Sequence, residues 1–311
     1  MIALPVTRTL RPDFMELDAY LLANPQIKAI VLNYPCNPTG IVLTHEELQQ
    51  LAAILKKHPA IVIVLDDVYR DLNFGKHETL LNVDPSFKER TIVIHSAAKG
   101  LIGAPDIRAG FMGGPARFIK AMTGLQQLAI ACTPYLTQYA LVIAIEDYLT
   151  NTDNVWREDT RQAYQNNVLL AGEIAASSGF TFIEPQGAFY LFVQASHLMN
   201  CAIPDSVRTR YQLGMSDIKT DVDLAKYFLI VAGVAIVPGS GFGLDASDGY
   251  FRISCAMDTK TLINAMNSLG ESARILSNTQ AIQASHGAVS FWSTPAKSSA
   301  DSITDETALR R

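Results

Sequence analysis

The chain has 311 residues, with 25 Lys and Arg against 30 Asp and Glu, so its formal net charge is −5. Hydrophobic residues make up 49% and charged residues 18%, a globular balance that excludes a disordered chain. The length predicts about two domains. The acidic balance argues against a nucleic-acid-binding protein, because neutralising phosphates requires a surplus of Lys and Arg.

Processing and membrane signals point to the cytoplasm. Four dispersed cysteines favour reduced thiols over a disulfide framework, and Pro5 interrupts an N-terminus too short in apolar length for a signal peptide. The histidines never fall at i, i+4, so we expect no metal site. Residues 121–145 carry no charge, but several Gln and Thr side chains and Pro134 favour two buried elements over a membrane span.

The first half of the chain alternates short apolar runs with helical patterns. Strands are predicted over 28–33, 61–65, 91–95 and 109–113. Thr44-His-Glu-Glu47 is a capping box that opens a helix to about Lys57. The run 61–65 is β-branched and uncharged, as expected for a strand covered on both faces. Strand–helix alternation favours an α/β sheet with mainly parallel strands.

The second half changes character and predicts a smaller α+β domain. A polar helix is expected over 154–178, further helices over 222–232 and 259–275, and strands over 182–183, 188–193 and 251–255. We therefore divide the chain into a large domain (1–153), a connecting helix with the small domain (154–278), and a flexible tail (279–311), in which Phe291 and Trp292 could dock locally.

Polar side chains follow the ends of consecutive predicted strands: Asn37, then Asp66 and Tyr69, then Ser96 and Lys99, then Arg108. Ligands of open α/β sheets bind beyond the carboxyl ends of the strands, so we expect these side chains to meet. A lysine amine can form a Schiff base, a carboxylate can keep a pyridine nitrogen protonated, and Ser and Arg bind phosphate. The set suits an aromatic, phosphorylated aldehyde cofactor.

Each of these residues also has an ordinary structural interpretation. Asn37 lies in a sequence that forms β-turns anyway, and Asp66 could cap a helix. Lys99 and Arg252 could be surface residues. Tyr190 could pack in the core as easily as line a site.

Six stretches, taken in order, resemble the signatures of the class I/II aminotransferases, which are pyridoxal-phosphate enzymes of fold type I. They are residues 34–40 (YPCNPTG), 65–69 (LDDVY), the block from Ser96-Ala-Ala-Lys99 to Arg108-Ala-Gly110, and then 185–190, 237–243 and 251–254. The resemblance extends from about Thr7 to Ile275. It implies a three-layer α/β large domain with a mainly parallel sheet, incomplete at its N-terminus, and a smaller α+β C-terminal domain.

The resemblance also implies roles for individual residues. Lys99 would be the catalytic residue and hold pyridoxal 5'-phosphate as a Schiff base; Asn37, Asp66, Tyr69, Ser96 and Arg108 would bind that cofactor, and Asn37 and Arg252 would bind the substrate. The implied reaction moves an amino group from an amino acid to a 2-oxo acid, in a homodimer.

The sequence departs from the family pattern at three points near the lysine. Ala98 replaces a Ser, Asp67 replaces a Glu, and the Lys99-to-Arg108 spacing is about one residue longer than usual. We also expect the family's N-terminal segment, with its phosphate-binding helix start, to be missing. Two alternatives therefore stay open: an inactive truncated homologue, and a pyridoxal-phosphate-dependent C–S lyase.

Overall fold

A computed structural model describes residues 3–151 and 154–289, which form a large unit (3–151) and a small unit (154–289). The sheet of the large unit has the order β1-β2-β3-β4, with β1 (Ala29–Asn33), β2 (Val62–Asp66), β3 (Thr91–Ser96) and β4 (Gly110–Gly113). The first three strands are parallel and β4 is antiparallel to β3. The α/β prediction is confirmed, with one antiparallel strand at the edge.

Helices cover one face of this sheet. They are α1 (Phe14–Ala23), α2 (His45–Lys57) and the single turn α3 (Leu80–Val83). Thr44 begins α2 with the predicted capping box. Leu48, Leu51 and Leu55 of the helix belong to the same buried cluster as Ile63 and Leu65 of β2.

The other face of the sheet is less covered than its sequence predicts. Val62 and Val64 of β2 are only half-buried, and Val31 of β1 is 54% exposed. Our expectation that 61–65 is buried on both faces is therefore wrong, because α1 and α2 pack on one side only. An uncharged strand is suited to burial on both faces, but the described residues bury only one face of β2.

The uncharged stretch 121–145 divides near Pro134 as predicted. It lies in α4 (Ala116–Ala129) and α5 (Tyr135–Thr150), and Pro134 is the residue before α5. Neither helix has a buried residue, so the expectation that these elements are buried is wrong. Among the described residues, no helix has both the length and the apolar character needed to cross a bilayer.

The small unit is an antiparallel sheet with helices packed around it. The sheet order is β5-β6-β8-β7, with β5 (Thr181–Ile183), β6 (Tyr190–Gln194), β7 (Val237–Pro238) and β8 (Tyr250–Ser254). The helices are α6 (Val155–Ser177), α7 (Asp205–Tyr211), α8 (Asp221–Tyr227), which continues into a π-helical turn Phe228–Ala232, and α9 (Thr259–Val289). Phe180, Phe228 and Phe251 meet at ring-centroid distances of 5.8 to 6.3 Å in its core.

The last helix is longer than its predicted end at residue 275. It continues to Val289, so the flexible tail expected from residue 279 begins as helix. Residues after 275 are rich in Ala, Gln and Ser without proline before Pro295, which allows the helix to continue. Residues 290–311, with Phe291 and Trp292, lie outside the described residues.

Candidate active site

The turn after β1 carries Asn37 and joins the two units. The Asn37 amide donates to Asn33 Oδ1 at 2.8 Å, and the Gln186 amide of the small unit donates to the Gly40 carbonyl at 2.8 Å. Gly40 has a φ of +70°, and a Cβ there would lie 2.4 Å from the Pro185 Cβ. Glycine is thus required by both backbone conformation and close packing.

Asp66 and Tyr69 lie at the carboxyl end of β2. Burial raises the pKa of Asp66, and its Oδ1 is buried without a hydrogen-bond partner among the described residues. The Tyr69 hydroxyl lies 2.8 Å from the Tyr190 hydroxyl. Burial, and then this hydrogen bond, raise the pKa of Tyr69, so the phenol stays protonated and can donate.

Lys99 lies in an irregular loop after β3. A π-helical turn covers Ala97–Leu101, but Lys99 itself departs from helical geometry, with φ −120° and ψ −132°. Its Nζ lies 5.0 Å from the centroid of the Phe189 ring and 5.6 Å from that of Tyr69. Burial, followed by the charges of Arg252 and Arg108, lowers the pKa of Lys99, which favours a nucleophilic neutral amine.

Arg252 extends from β8 of the small unit to the turn of the large unit. Its Nη1 donates to Asn37 Oδ1 at 2.8 Å, and its guanidinium carbon lies 4.4 Å from the Tyr190 ring centroid. The buried Nε finds no acceptor within the part of the chain that the structure describes. A planar guanidinium with a donor to spare is suited to binding a carboxylate.

Ser96 and Arg108 flank the lysine loop. Ser96 Oγ accepts from the Ala98 amide at 3.1 Å, and Arg108 Nη1 donates to the Pro105 carbonyl at 3.3 Å. Arg108 adopts a left-handed conformation, with a φ of +51°. The hydrogen bonds of Ser96 and Arg108 thus stabilise the loop. The other four predicted residues are connected through Tyr190 and Phe189: they are Asn37, Tyr69, Lys99 and Arg252.

The linked side chains form a cationic, aromatic-lined site. Lys99 and Arg252 supply positive charge, and Tyr69, Phe189 and Tyr190 supply rings and hydroxyls. Such a site favours a planar anionic ligand, because cations attract its charge and the rings exclude water from it. An amine of lowered pKa in this setting can attack a carbonyl or accept a proton from carbon.

Sequence reasoning undervalued three aromatic residues of the site. Tyr190, for which the sequence allows either a core or a site position, contacts both Tyr69 and Arg252. Phe189 lies against Lys99, and the Phe242 ring centroid is 5.4 Å from the Arg252 guanidinium. All three belong to motif stretches, which was the available signal.

Comparison with known proteins supports the family resemblance seen in the sequence over most of the chain. The family model described as aminotransferase class I and II matches residues 3–269. The aspartate aminotransferase of Geobacillus stearothermophilus is 33% identical over 245 residues, which are 78% of this chain and 56% of that protein. That of Rhizobium meliloti (strain 1021) is 29% identical over 279 residues, covering 89% of this chain and 63% of that protein. The chain therefore spans little more than half the length of these relatives.

Solved structures agree with the family match. The crystal structure of an aspartate aminotransferase from Rhizobium meliloti aligns with a TM-score of 0.74 at 28% identity, over 86% of this chain and 62% of that one. An aromatic aminotransferase from Pyrococcus horikoshii OT3 aligns with a TM-score of 0.73 at 26% identity, over 88% and 67%. With the six motifs in order, the α/β fold and the family match in agreement, the chain belongs to the class I and II aminotransferases.

Proposed function

We propose that this chain supplies the lysine, carboxylate and arginine of a pyridoxal-phosphate-dependent aminotransferase, which moves an amino group from an amino acid to a 2-oxo acid. The observation that carries the proposal is the half-buried Lys99 amine, set against the Tyr69 and Phe189 rings and close enough to Arg252 for the two charges to interact.

The residues present fit pyridoxal phosphate. The buried Asp66 Oδ1 has no partner among the described residues, and a protonated ring nitrogen would supply the missing donor. A cationic N–H would also offset the burial that raises the pKa of Asp66. Asn37 and Tyr69 would donate to the phenolate oxygen, and Ser96 and Arg108 would bind the phosphate.

When bound, this cofactor supplies an electron-accepting ring conjugated to the substrate nitrogen. The chain's own residues would hold the ring nitrogen in its protonated form and transfer the substrate proton. Asp66 would keep the ring nitrogen protonated. Lys99 would take the proton from the substrate Cα and later return a proton, acting as base and then as acid. Burial and the neighbouring Arg252 and Arg108 charges lower the pKa of Lys99, so its amine gives up a proton more readily than that of an exposed lysine.

Arg252 would bind the α-carboxylate of the substrate. Its guanidinium contacts the Tyr190 and Phe242 rings and donates to Asn37 Oδ1. A fixed carboxylate fixes the substrate Cα relative to Lys99, which is a positioning contribution to the rate. The proposed partners are an amino acid, a 2-oxo acid and a second copy of this chain in a homodimer.

The test is binding of pyridoxal phosphate followed by borohydride reduction. We expect a visible absorption band that reduction abolishes, and peptide mapping that finds the cofactor on Lys99. Lys99→Ala should remove both the band and the label. The matched control is Lys120→Ala, since Lys120 is an exposed lysine of α4 and should leave both unchanged.

A chain that binds the cofactor can then be given single amino acids with and without a 2-oxo acid. Amino-group transfer should require the 2-oxo acid for repeated turnover, whereas a lyase would release product without it. A folded protein that gives no band and no label on Lys99 would contradict the proposal and favour an inactive homologue.

A further inference from the structure

A buried carboxylate lies beneath the lysine loop, outside the residues discussed so far. Asp71 is in the short 3-10 turn Arg70–Leu72 that follows β2. The Tyr148 hydroxyl of α5 donates to its Oδ1 at 2.7 Å, and His95 Nε2 of β3 lies 3.3 Å from its Oδ2. Arg70 Nε lies 3.8 Å from Oδ1. Side chains from α5, from β3 and from the turn itself therefore surround this carboxylate.

His95 is itself held in a defined tautomer. Its Nδ1 accepts from the Ser96 amide at 2.9 Å, which places the proton of a neutral ring on Nε2, facing Asp71. The imidazole also stacks on Phe111 of β4, with ring centroids 5.2 Å apart and planes 4° apart. The orientation of His95 is thus set before it meets the carboxylate.

Asp71 also touches the backbone of the lysine loop. A Cβ added to Gly100 would lie 2.4 Å from the Asp71 Cβ and 3.2 Å from the Asp71 Cα, so the two residues are in direct contact. Gly100 immediately follows Lys99, whose backbone is non-helical. The lysine loop therefore packs on Asp71 at the residue next to Lys99.

We propose that Asp71 is a positioning residue for Lys99, with Tyr148 and His95 as its supports. The inference rests on the role proposed above for Lys99. Asp71 acts through the Gly100 backbone: the carboxylate, fixed by its donors, stops the loop from moving away from the Tyr69 and Phe189 rings. Asp71 itself touches no reacting atom.

The charge state of Asp71 suits this role. Burial raises the pKa of Asp71, but the neighbouring His95 imidazole, the Tyr148 hydroxyl and the Arg70 guanidinium outweigh burial and hold that pKa below its ordinary value. The carboxylate therefore stays ionised, with Oδ1 accepting from Tyr148 and Oδ2 facing His95 Nε2. In Asp71→Asn the amide could accept from Tyr148 only by turning its NH₂ group toward the His95 N–H, which places two donors face to face.

The test measures Lys99 without any cofactor. The purified full chain is labelled with trace acetic anhydride across a pH series, and the rate at Lys99 is read by mass spectrometry. In Asp71→Asn and Asp71→Ala we expect the midpoint of the Lys99 profile to move up by about half to one pH unit, because a loosened amine becomes hydrated and its pKa returns toward the ordinary value. Removing a nearby negative charge without moving the loop would shift the midpoint down instead.

The matched control is Asp67→Asn. Asp67 is another buried carboxylate of the same segment, with His77 Nε2 2.8 Å away, and should leave the midpoint unchanged. Tyr148→Phe, on the exposed helix α5, should shift the Lys99 midpoint upward by less than the Asp71 variants do. If the Asp71 variants do not fold, Tyr148→Phe provides the test. A folded variant with an unchanged or lowered midpoint would overturn the proposal. Because no pyridoxal phosphate is used, this result is independent of whether the chain proves to be an aminotransferase.

Discussion

The two units differ in how completely each covers its own sheet. The small unit closes around a continuous core in which Phe228, Phe251 and Leu269 are fully buried. The large unit buries one face of its sheet under α1 and α2 and leaves β4, α4 and α5 without a buried residue. Each four-stranded sheet has two edge strands among the described residues, β1 and β4 in the large unit and β5 and β7 in the small unit.

An apolar, uncharged sequence therefore indicates that a segment is suited to burial, but it does not indicate which other segment buries it. Leu128 of α4 is 88% exposed, although its neighbours in sequence are as uncharged as those of any buried helix. An exposed apolar surface of this kind is costly in water and marks a site of further packing.

The largest expected contrast is in hydrogen exchange of the two sheets. Strand β8 is paired on both sides, by β6 and β7, whereas β4 is paired by β3 alone and all its residues are exposed. We expect β8 amides to exchange only through global unfolding of the small unit and β4 amides through local opening of low free energy. Mass spectrometry of peptides covering 110–113 and 250–254 measures this. Equal protection would contradict the contrast and indicate that β4 is covered in solution.

A matched pair of leucines tests the same contrast by mutation. Leu269→Ala in α9 removes a fully buried side chain and should lower the free energy of unfolding by about 2–5 kcal/mol. Leu128→Ala in α4 removes an exposed one and should change it by less than about 0.5 kcal/mol. Urea unfolding followed by circular dichroism compares the two. A loss at Leu128 similar to that at Leu269 would mean that α4 is packed against another surface in solution.

Local features of this fold could be predicted from the sequence because their causes are local. The Thr44 capping box, the break at Pro134 and the strands before Asn37 and Lys99 depend on residues within a few positions of each other. The position of polar side chains at strand ends also predicted that Tyr69 and Lys99 lie in one crevice, because parallel strands end at the same edge of a sheet.

Contacts between distant segments could not be predicted in this way. Arg252 donates to Asn37 across 215 positions of the sequence, and Tyr148 reaches Asp71 across 77. Neither pair has a spacing rule, and only the motif order indicated that Arg252 belongs to the site. The exposure of α4 and α5 is of the same kind, since burial depends on what packs against a helix and not on its own residues.

The smallest expected effect compares two capping boxes, one in each unit. Thr44 Oγ1 accepts from the Glu47 amide at 3.2 Å in α2, and Thr220 Oγ1 accepts from the Asp223 amide at 3.1 Å in α8. Replacing either threonine by alanine should cost about 1 kcal/mol, because the helix loses one acceptor for its unpaired first-turn amides. If the units unfold separately, Thr44→Ala should shift the denaturation midpoint of the large unit alone, and Thr220→Ala should shift that of the small unit alone. Hydrogen exchange of α2 and α8 along a urea series measures the two midpoints. A single shared midpoint that moves in both variants would instead mean that the Arg252–Asn37 contact and the Gln186–Gly40 hydrogen bond couple the two units into one cooperative structure.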